Sequence, residues 1–576
     1  MSNVTRYLCA AAYLDGAFRA KVLTESLHDE FRAVPPSYGG FDLAPVIHHC
    51  RRSRTILLVR DVLIVLVLAV GFGTAFFTTI AWLTTLTPFA LLTAARVRQG
   101  PLLLRGLIWA WALYSAFFFL LSAMLRPFFD LFTRSAGLGV AGLGGTDVYG
   151  LPSTPSPLVD VTGSFLGTLA VPLATLGVAV GYRIATYMTL AGSLKPGAAE
   201  PMTEASHPKV ARRLDYIRRA QWGNITMYAN EDAFMGAGTI QRVWSIAVEL
   251  DRVRGADAAA TGRRQSRPVD IDPLELHGFV RGRLVEMRDG VLRANESVER
   301  LDIGDHVVSR GAFTTTDWRS GRPAHPLIDQ SGLPRHHATP EEIAAIIRHP
   351  QGGVRYYQRV TISGVGQEIR DASGKLVAPA EDQEALTSAF IHLAVEGRML
   401  YTQFVVTVLP PADDLYHVVD RLPAMTVPRI AWEAVRALKL HLLRDVLAAP
   451  VRLVRAAWQS AVQGMTAPNP ADHLVYQYGA HFSARELGAS QGLQTHIQAL
   501  DAAKYTKLIE QRLTEAVLDF LEQRGVDTGA YRLQAAGVTM HTAYTMHVGD
   551  GGIVSGPVSF GPNGSATVNN LLQPTG

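Results

Sequence analysis

Apolar residues gather into three long charge-free runs early in the chain and into short helical or alternating patterns elsewhere. The first run lies between Asp61 and Arg96, and Gly106 to Leu125 and Val161 to Tyr182 follow it. A helix rises about 1.5 Å per residue, so about 20 apolar residues cross a ~30 Å hydrocarbon layer. The 34 residues of the first run are too many for one span. Extended back through Ile56 to Val59, with Arg60 and Asp61 snorkelling at the interface, the run divides into two. Gly71 and Gly73 loosen the first span, Thr78 and Thr79 lie near the hairpin tip, and Pro88 sits inside the second, where lipid tolerates a kink.

The flanks choose the hairpin. Arg51, Arg52 and Arg54 precede the run, while Arg96, Arg98 and Arg105 follow it, and cytoplasmic flanks are the basic ones. The third span, rich in Trp109, Trp111, Tyr114 and Phe117 to Phe119, leads into a Gly/Pro-rich loop with few basic residues. The fourth returns to Arg183, with Lys195, Lys209, Arg212, Arg213, Arg218 and Arg219 beyond. The pattern predicts a membrane block over 55–194 with spans at 56–77, 79–96, 105–126 and 160–183, and both termini cytoplasmic. The middles of these spans lack charged and histidine side chains, which argues for an anchor over a transport pathway.

The polar stretches divide by their own periods. Residues 1–54 open on a helical pattern of Tyr7, Ala11, Leu14, Phe18 and Val22 that Pro35-Pro36 stops. After a Pro/Ala/Gly linker over 195–209 comes a mixed α/β region, 210–425. In it Val243–Leu250 and Val354–Ile362 read as strands and Pro273–Met287 as a helix. Thr339-Pro340-Glu341-Glu342 reads as a capped helix start, and Ala389–Val395 with Met399–Leu409 as a hairpin turning at Glu396-Gly397-Arg398. A helical part, 426–530, holds a basic amphipathic segment from Pro428 to Gln463 and a helix from Ile497 to Arg524 that Gly525 ends. The tail, 531–576, is punctuated by glycine and β-prone from Val548 to Val568, suiting a short hairpin or self-pairing. The expected fold class is therefore a membrane α-helical four-span bundle plus a cytoplasmic α+β region with a helical C-terminal part.

Charge changes the picture little. Fifty-four basic against 50 acidic residues leave +4, too small an excess to indicate nucleic acid. The basic helical segment offers Arg436, Lys439, Arg444, Arg452 and Arg455 to an anionic inner leaflet, so the expected partners are the lipid bilayer and a protein of unspecified kind. Cys9 and Cys50 are the two cysteines, read as free thiols in a reducing compartment. Nothing near the start has the apolar core of a cleavable signal.

Catalytic patterns are sparse. The chain lacks GxxxxGK[ST] and HExxH, and Gly236-Ala237-Gly238 is half a dinucleotide fingerprint. His48-His49-Cys50 and His336-His337 are adjacent, which makes joint chelation awkward. No cofactor and no metal are expected. Gly488-Ala489-Ser490-Gln491-Gly492 matches the nucleophile-elbow pattern, with Ser490 as nucleophile, His496, His541 or His547 as base and Asp501, Asp519 or Asp527 as acid. The residues before it read as helix or loop, where the chemistry needs a strand.

RYLCAAAYLD (Arg6–Asp15), FMGAGTIQRVWSIAVEL (Phe234–Leu250), YGAHFSAREL (Tyr478–Leu487) and RGVDTGAY (Arg524–Tyr531) resemble stretches of a group of actinobacterial multi-pass membrane proteins. The resemblance brings no activity, cofactor or site residue with it, and it makes the Ser490 match look incidental. The expected function is a membrane-anchored cytoplasmic binding or scaffolding module. A small oligomeric transporter or channel, and a membrane-bound serine hydrolase, are the alternatives.

Overall fold

The computed structural model describes the chain apart from residues 95–96, 98, 136–156, 200–207, 254–267, 290–297, 299, 315, 318–321, 324, 366–367, 380–381, 439–440, 466–467, 543–544, 549–551 and 556–576. Four helices carry the apolar runs: α3 (Leu43–Thr74), α4 (Phe76–Leu92), α5 (Leu102–Ser135) and α6 (Pro157–Ser193). Three of them are long and apolar enough to cross a membrane, namely α3, the Leu102–Leu125 part of α5 and the Leu169–Ser193 part of α6. The α4 helix has 17 residues, about 25 Å of rise. The hairpin tip is Ala75, whose non-helical backbone separates α3 from α4, a few residues before Thr78-Thr79. Gly71 does more than loosen its span. A Cβ there would meet Thr79 and Val171, so the glycine lets three helices approach closely.

The N-terminal helices α1 (Asn3–Leu14) and α2 (Gly16–Leu23) fold against the polar base of α3. Every residue from Thr5 to Tyr13 is buried, so α1 is enclosed on all sides rather than along one stripe. Its charge is matched inside: Arg6 donates to the Leu194 carbonyl at 3.1 Å and pairs with Asp420, and the Tyr7 hydroxyl donates to Asp420 at 2.8 Å.

After α7 (Pro208–Ala220) the chain builds a six-stranded sheet. Its strands are β1 (Ile225–Tyr228), β2 (Thr239–Glu249), β3 (Leu301–Arg310), β4 (Val354–Val365), β5 (Asp382–Glu396) and β6 (Met399–Leu409), in the order β1-β3-β4-β5-β6-β2. Only the β1–β3 pair is parallel in this sheet. The hairpin between β5 and β6 turns where expected, with Glu396 opposite Met399 and positive φ at both Gly397 and Arg398, the primed turn that matches strand twist. Helix α8 (Pro273–Asp289) and α9 (Pro340–Arg348) follow their predicted starts. Thr339 and Glu342 close a reciprocal capping box at the latter.

One face of the sheet is covered by α8 and by α12 (His496–Gln523), through Val360, Ile362, Ala389, Ile391 and Phe404 against Leu276, Val280, Ile509, Leu513 and Val517. The expected basic helical segment forms two helices, α10 (Val427–Arg436) and α11 (His441–Met465). The α10 helix packs against α6, and α11 against α3, α4 and α6. A last helix, α13 (Gly529–Thr542), precedes a small hairpin of Thr545–Val548 with Gly552–Ser555. The rest of the expected self-pairing tail lies outside the described residues.

Arg60 and Asp61 are the clearest departure from expectation. They do not snorkel: they are 4% and 0% exposed. Arg60 donates to Asp61 at 2.9 and 3.0 Å and to Asp445 at 3.0 Å. Arg452 meets Asp61 at 2.7 and 2.8 Å and Asp445 at 3.1 Å. Buried charges persist when each is paired and hydrogen-bonded, and α11 supplies the partners that the local sequence of α3 lacks. Arg452 is thereby turned toward α3. Lys439 lies outside the described residues.

Candidate functional site

The second face of the sheet is closed over one half and open over the other. The closed half belongs to Tyr38, Phe234, Val308, Tyr357, Phe390 and Val405. Buried Tyr38 donates its hydroxyl to His306 Nδ1 at 2.6 Å, and His306 Nε2 donates to the Ala233 carbonyl at 3.0 Å. A neutral imidazole protonated on Nε2 fits this pattern, and burial holds its pKa down to about 3. Burial likewise pushes the Tyr38 phenol up to about 12.

Stability follows from that shift with a definite sign. Free histidine titrates near 6.5. The unfolded chain therefore takes up a proton between 6.5 and 3 that the folded chain refuses, so the contribution is complete above pH 6.5 and is lost as pH falls toward 3. His306→Gln is expected to unfold with a shallower acid dependence, by up to one proton's worth, about 1.4 kcal/mol per pH unit. Unfolding midpoints of the variant and the parent between pH 7 and 4.5 check this; superimposable slopes would contradict it.

The open half is a cleft of ≈ 360 Å³ between the sheet, residues 36–40 and the end of α7. Arg359 is its principal charge. In register Arg359 stands opposite Gly304, and a Cβ on that glycine would run into the Arg359 guanidinium; the glycine makes room for the side chain to recline across β3. Arg359 donates to Thr361 Oγ1 at 2.8 Å and to Asp302 at 2.7 Å, and lies 4.8 Å from the Tyr38 ring centroid. Its Nε is buried with no partner among the described residues, and so is the hydroxyl of Ser37 on the facing strap. Exposed Arg300 and Trp222, the latter 58% exposed, stand on the rim. Buried donors left without acceptors are costly.

The strap also leads into α3. Gly39 and Gly40 take positive φ, and a Cβ on Gly39 would strike Leu386. Two residues on, Asp42 caps α3 by accepting from Ala44 N at 2.9 Å. Gln221, in the cleft wall, binds Leu43 N at 2.7 Å and Asp42 at 2.8 Å. The strap that walls the cleft therefore leads within two residues into the N-cap of α3.

The sequence-predicted residues fall elsewhere. Ser490 lies on a loop between the single helical turn Ala484–Leu487 and α12, and its hydroxyl donates to the Gly492 carbonyl at 2.5 Å. No histidine or carboxylate among the described residues hydrogen-bonds it. Gly236 and Gly238, both at positive φ, point their amides at Glu486 Oε1 at 2.7 and 2.9 Å. Such a backbone nest holds an anion, and here the anion is the chain's own carboxylate, whose pKa burial raises. Two of the stretches that carried the family resemblance, Phe234–Leu250 and Tyr478–Leu487, meet at this contact. Among the described residues no three His, Cys, Asp or Glu side chains group to hold a metal ion.

Residues 243–555 match a family model described as AbeC-like domain. The match runs from β2 to the last hairpin, taking in α10 and α11 and leaving α3 to α6 outside. No curated protein and no solved structure matches the chain.

Proposed function

The chain belongs to the AbeC-like domain family, and from that premise we propose a membrane-anchored binding module whose cleft takes a small anionic ligand. The four apolar helices serve as anchor, α4 acting as the fourth span, and the basic flanks hold both termini and the α+β portion on the cytoplasmic side. The single observation that carries the reading is the cleft at Arg359. Arg359 and Arg300 outweigh Asp302, two buried donors lack acceptors, and Trp222 offers a flat apolar surface. An anionic group on Arg359 Nε and Ser37 Oγ would satisfy both donors, with a planar part against the indole. Because the strap runs into the cap of α3, occupancy would reach the membrane helix without an intermediary. A scaffolding role for a protein partner is compatible with the same arrangement. Serine hydrolysis draws no support from the surroundings of Ser490.

The test is a titration of the intact, detergent-solubilised chain with inorganic phosphate, AMP and succinate, reading the unfolding midpoint. At a hundredfold excess over the dissociation constant a ligand stabilises by about 2.7 kcal/mol. At least one of the three is expected to raise the midpoint, and Arg359→Ala to abolish the rise. No shift with any of them, or the same shift in the variant, would overturn the reading.

A further inference from the structure

The α11 helix has apolar side chains on two faces, and protein covers one of them. Val446 and Ala449, fully buried, pack with Ile64 and Leu68 of α3 and with Trp82 and Leu86 of α4. On the opposite side Val451, Val454 and Trp458 recur at three- and four-residue spacing and are 69%, 70% and 70% exposed. A helix with water on its outer side carries polar residues there. Among the described residues of α11 the exposed polar ones are Arg444, Arg455, Gln459 and Ser460, beside exposed Pro450 and Ala457.

The depth of α11 is set by its ion pairs. Asp61, which Arg452 clasps, lies 13 residues before the end of α3 at Thr74, about 20 Å along the axis and within reach of a ~30 Å hydrocarbon layer. The four charges are two arginines and two aspartates, so the cluster neutralises itself and can occupy such a depth. The spans likewise present apolar side chains outward, including Val62, Leu63 and Leu66 of α3 at 45–55% exposure.

We infer that α11 is a membrane-embedded helix. It lies across the inner half of the bundle with Val451, Val454 and Trp458 against lipid acyl chains and Arg444 and Arg455 at headgroup level. The inference rests on the spans crossing the bilayer and adds to it. The polypeptide re-enters the membrane after β6, so the six-stranded sheet is tethered on both its N-terminal and C-terminal sides.

Spin labels on the full chain in liposomes of phosphatidylcholine and phosphatidylglycerol test this. Val454→Cys and, separately, Trp458→Cys are compared with Leu63→Cys as the span reference and Ser373→Cys, on an exposed turn, as the aqueous reference; native Cys9 and Cys50 are fully buried. Labels at 454 and 458 are expected to collide with oxygen in preference to a water-soluble nickel complex, as the label at 63 does and the reverse of that at 373. If 63 behaves as lipid-facing while 454 and 458 behave like 373, α11 stands in water and the inference is wrong. Labels at 454 and 458 shielded from both reagents mean that a second copy covers the stripe, which also overturns it. An aqueous result at 63 removes the spans themselves, and the inference falls with them.

Discussion

Asp61→Ala is expected to destabilise the protein by about 3–5 kcal/mol, the typical cost of removing one partner from a buried ion pair. Asp61 is fully buried and accepts from both Arg60 and Arg452, so its loss leaves two guanidinium groups sharing Asp445 alone. The cost is mostly that of uncompensated buried charge. For that reason Asp61→Ala combined with Arg452→Ala should cost well below the sum of the two single changes, with a coupling of up to about 3 kcal/mol. Unfolding midpoints of the four proteins in one detergent measure it. Additive losses would mean that the pairs contribute no mutual stabilisation and that α11 is seated by Val446 and Ala449 alone.

Glu486→Ala should come next in size. The Gly236 and Gly238 amides converge on one carboxylate oxygen, and each buried donor left without an acceptor costs about 1–3 kcal/mol. Glu486→Gln keeps an oxygen in the same place and no longer buries a charge. It should therefore lie close to the parent, while Glu486→Ala loses about 3 kcal/mol. Equal losses in the two variants would show that the carboxylate's charge, and not its acceptor oxygen, holds the glycine turn.

The features readable in the chain were the local ones. The capping box at Thr339, the primed turn at Gly397-Arg398 and the stop at Gly525 each depend on residues within a few positions of one another, so spacing alone announces them. The apolar runs announced the long apolar helices for the same reason. What joins these elements is long-range and leaves no local trace. Asp61 finds Arg452 across 391 positions, so Arg60-Asp61 read as an interfacial pair and Arg452 as a lipid contact. The cleft was equally hidden: Arg359 looks like a polar interruption in a strand until β3 places Gly304 opposite it. Tyr38 stands just beyond the Pro35-Pro36 helix stop, yet its hydroxyl reaches His306 across 268 positions. The pattern that was visible, around Ser490, is explained by a loop hydroxyl turning back on its own backbone.

Native mass spectrometry of the intact chain extracted from membranes tests the central claim most directly, because it needs no guess at the ligand. The parent protein is expected to retain a small anionic molecule that Arg359→Ala does not, with lipid adducts the same in both. The same small-molecule adduct in both proteins, or none in either, would contradict a ligand site at Arg359.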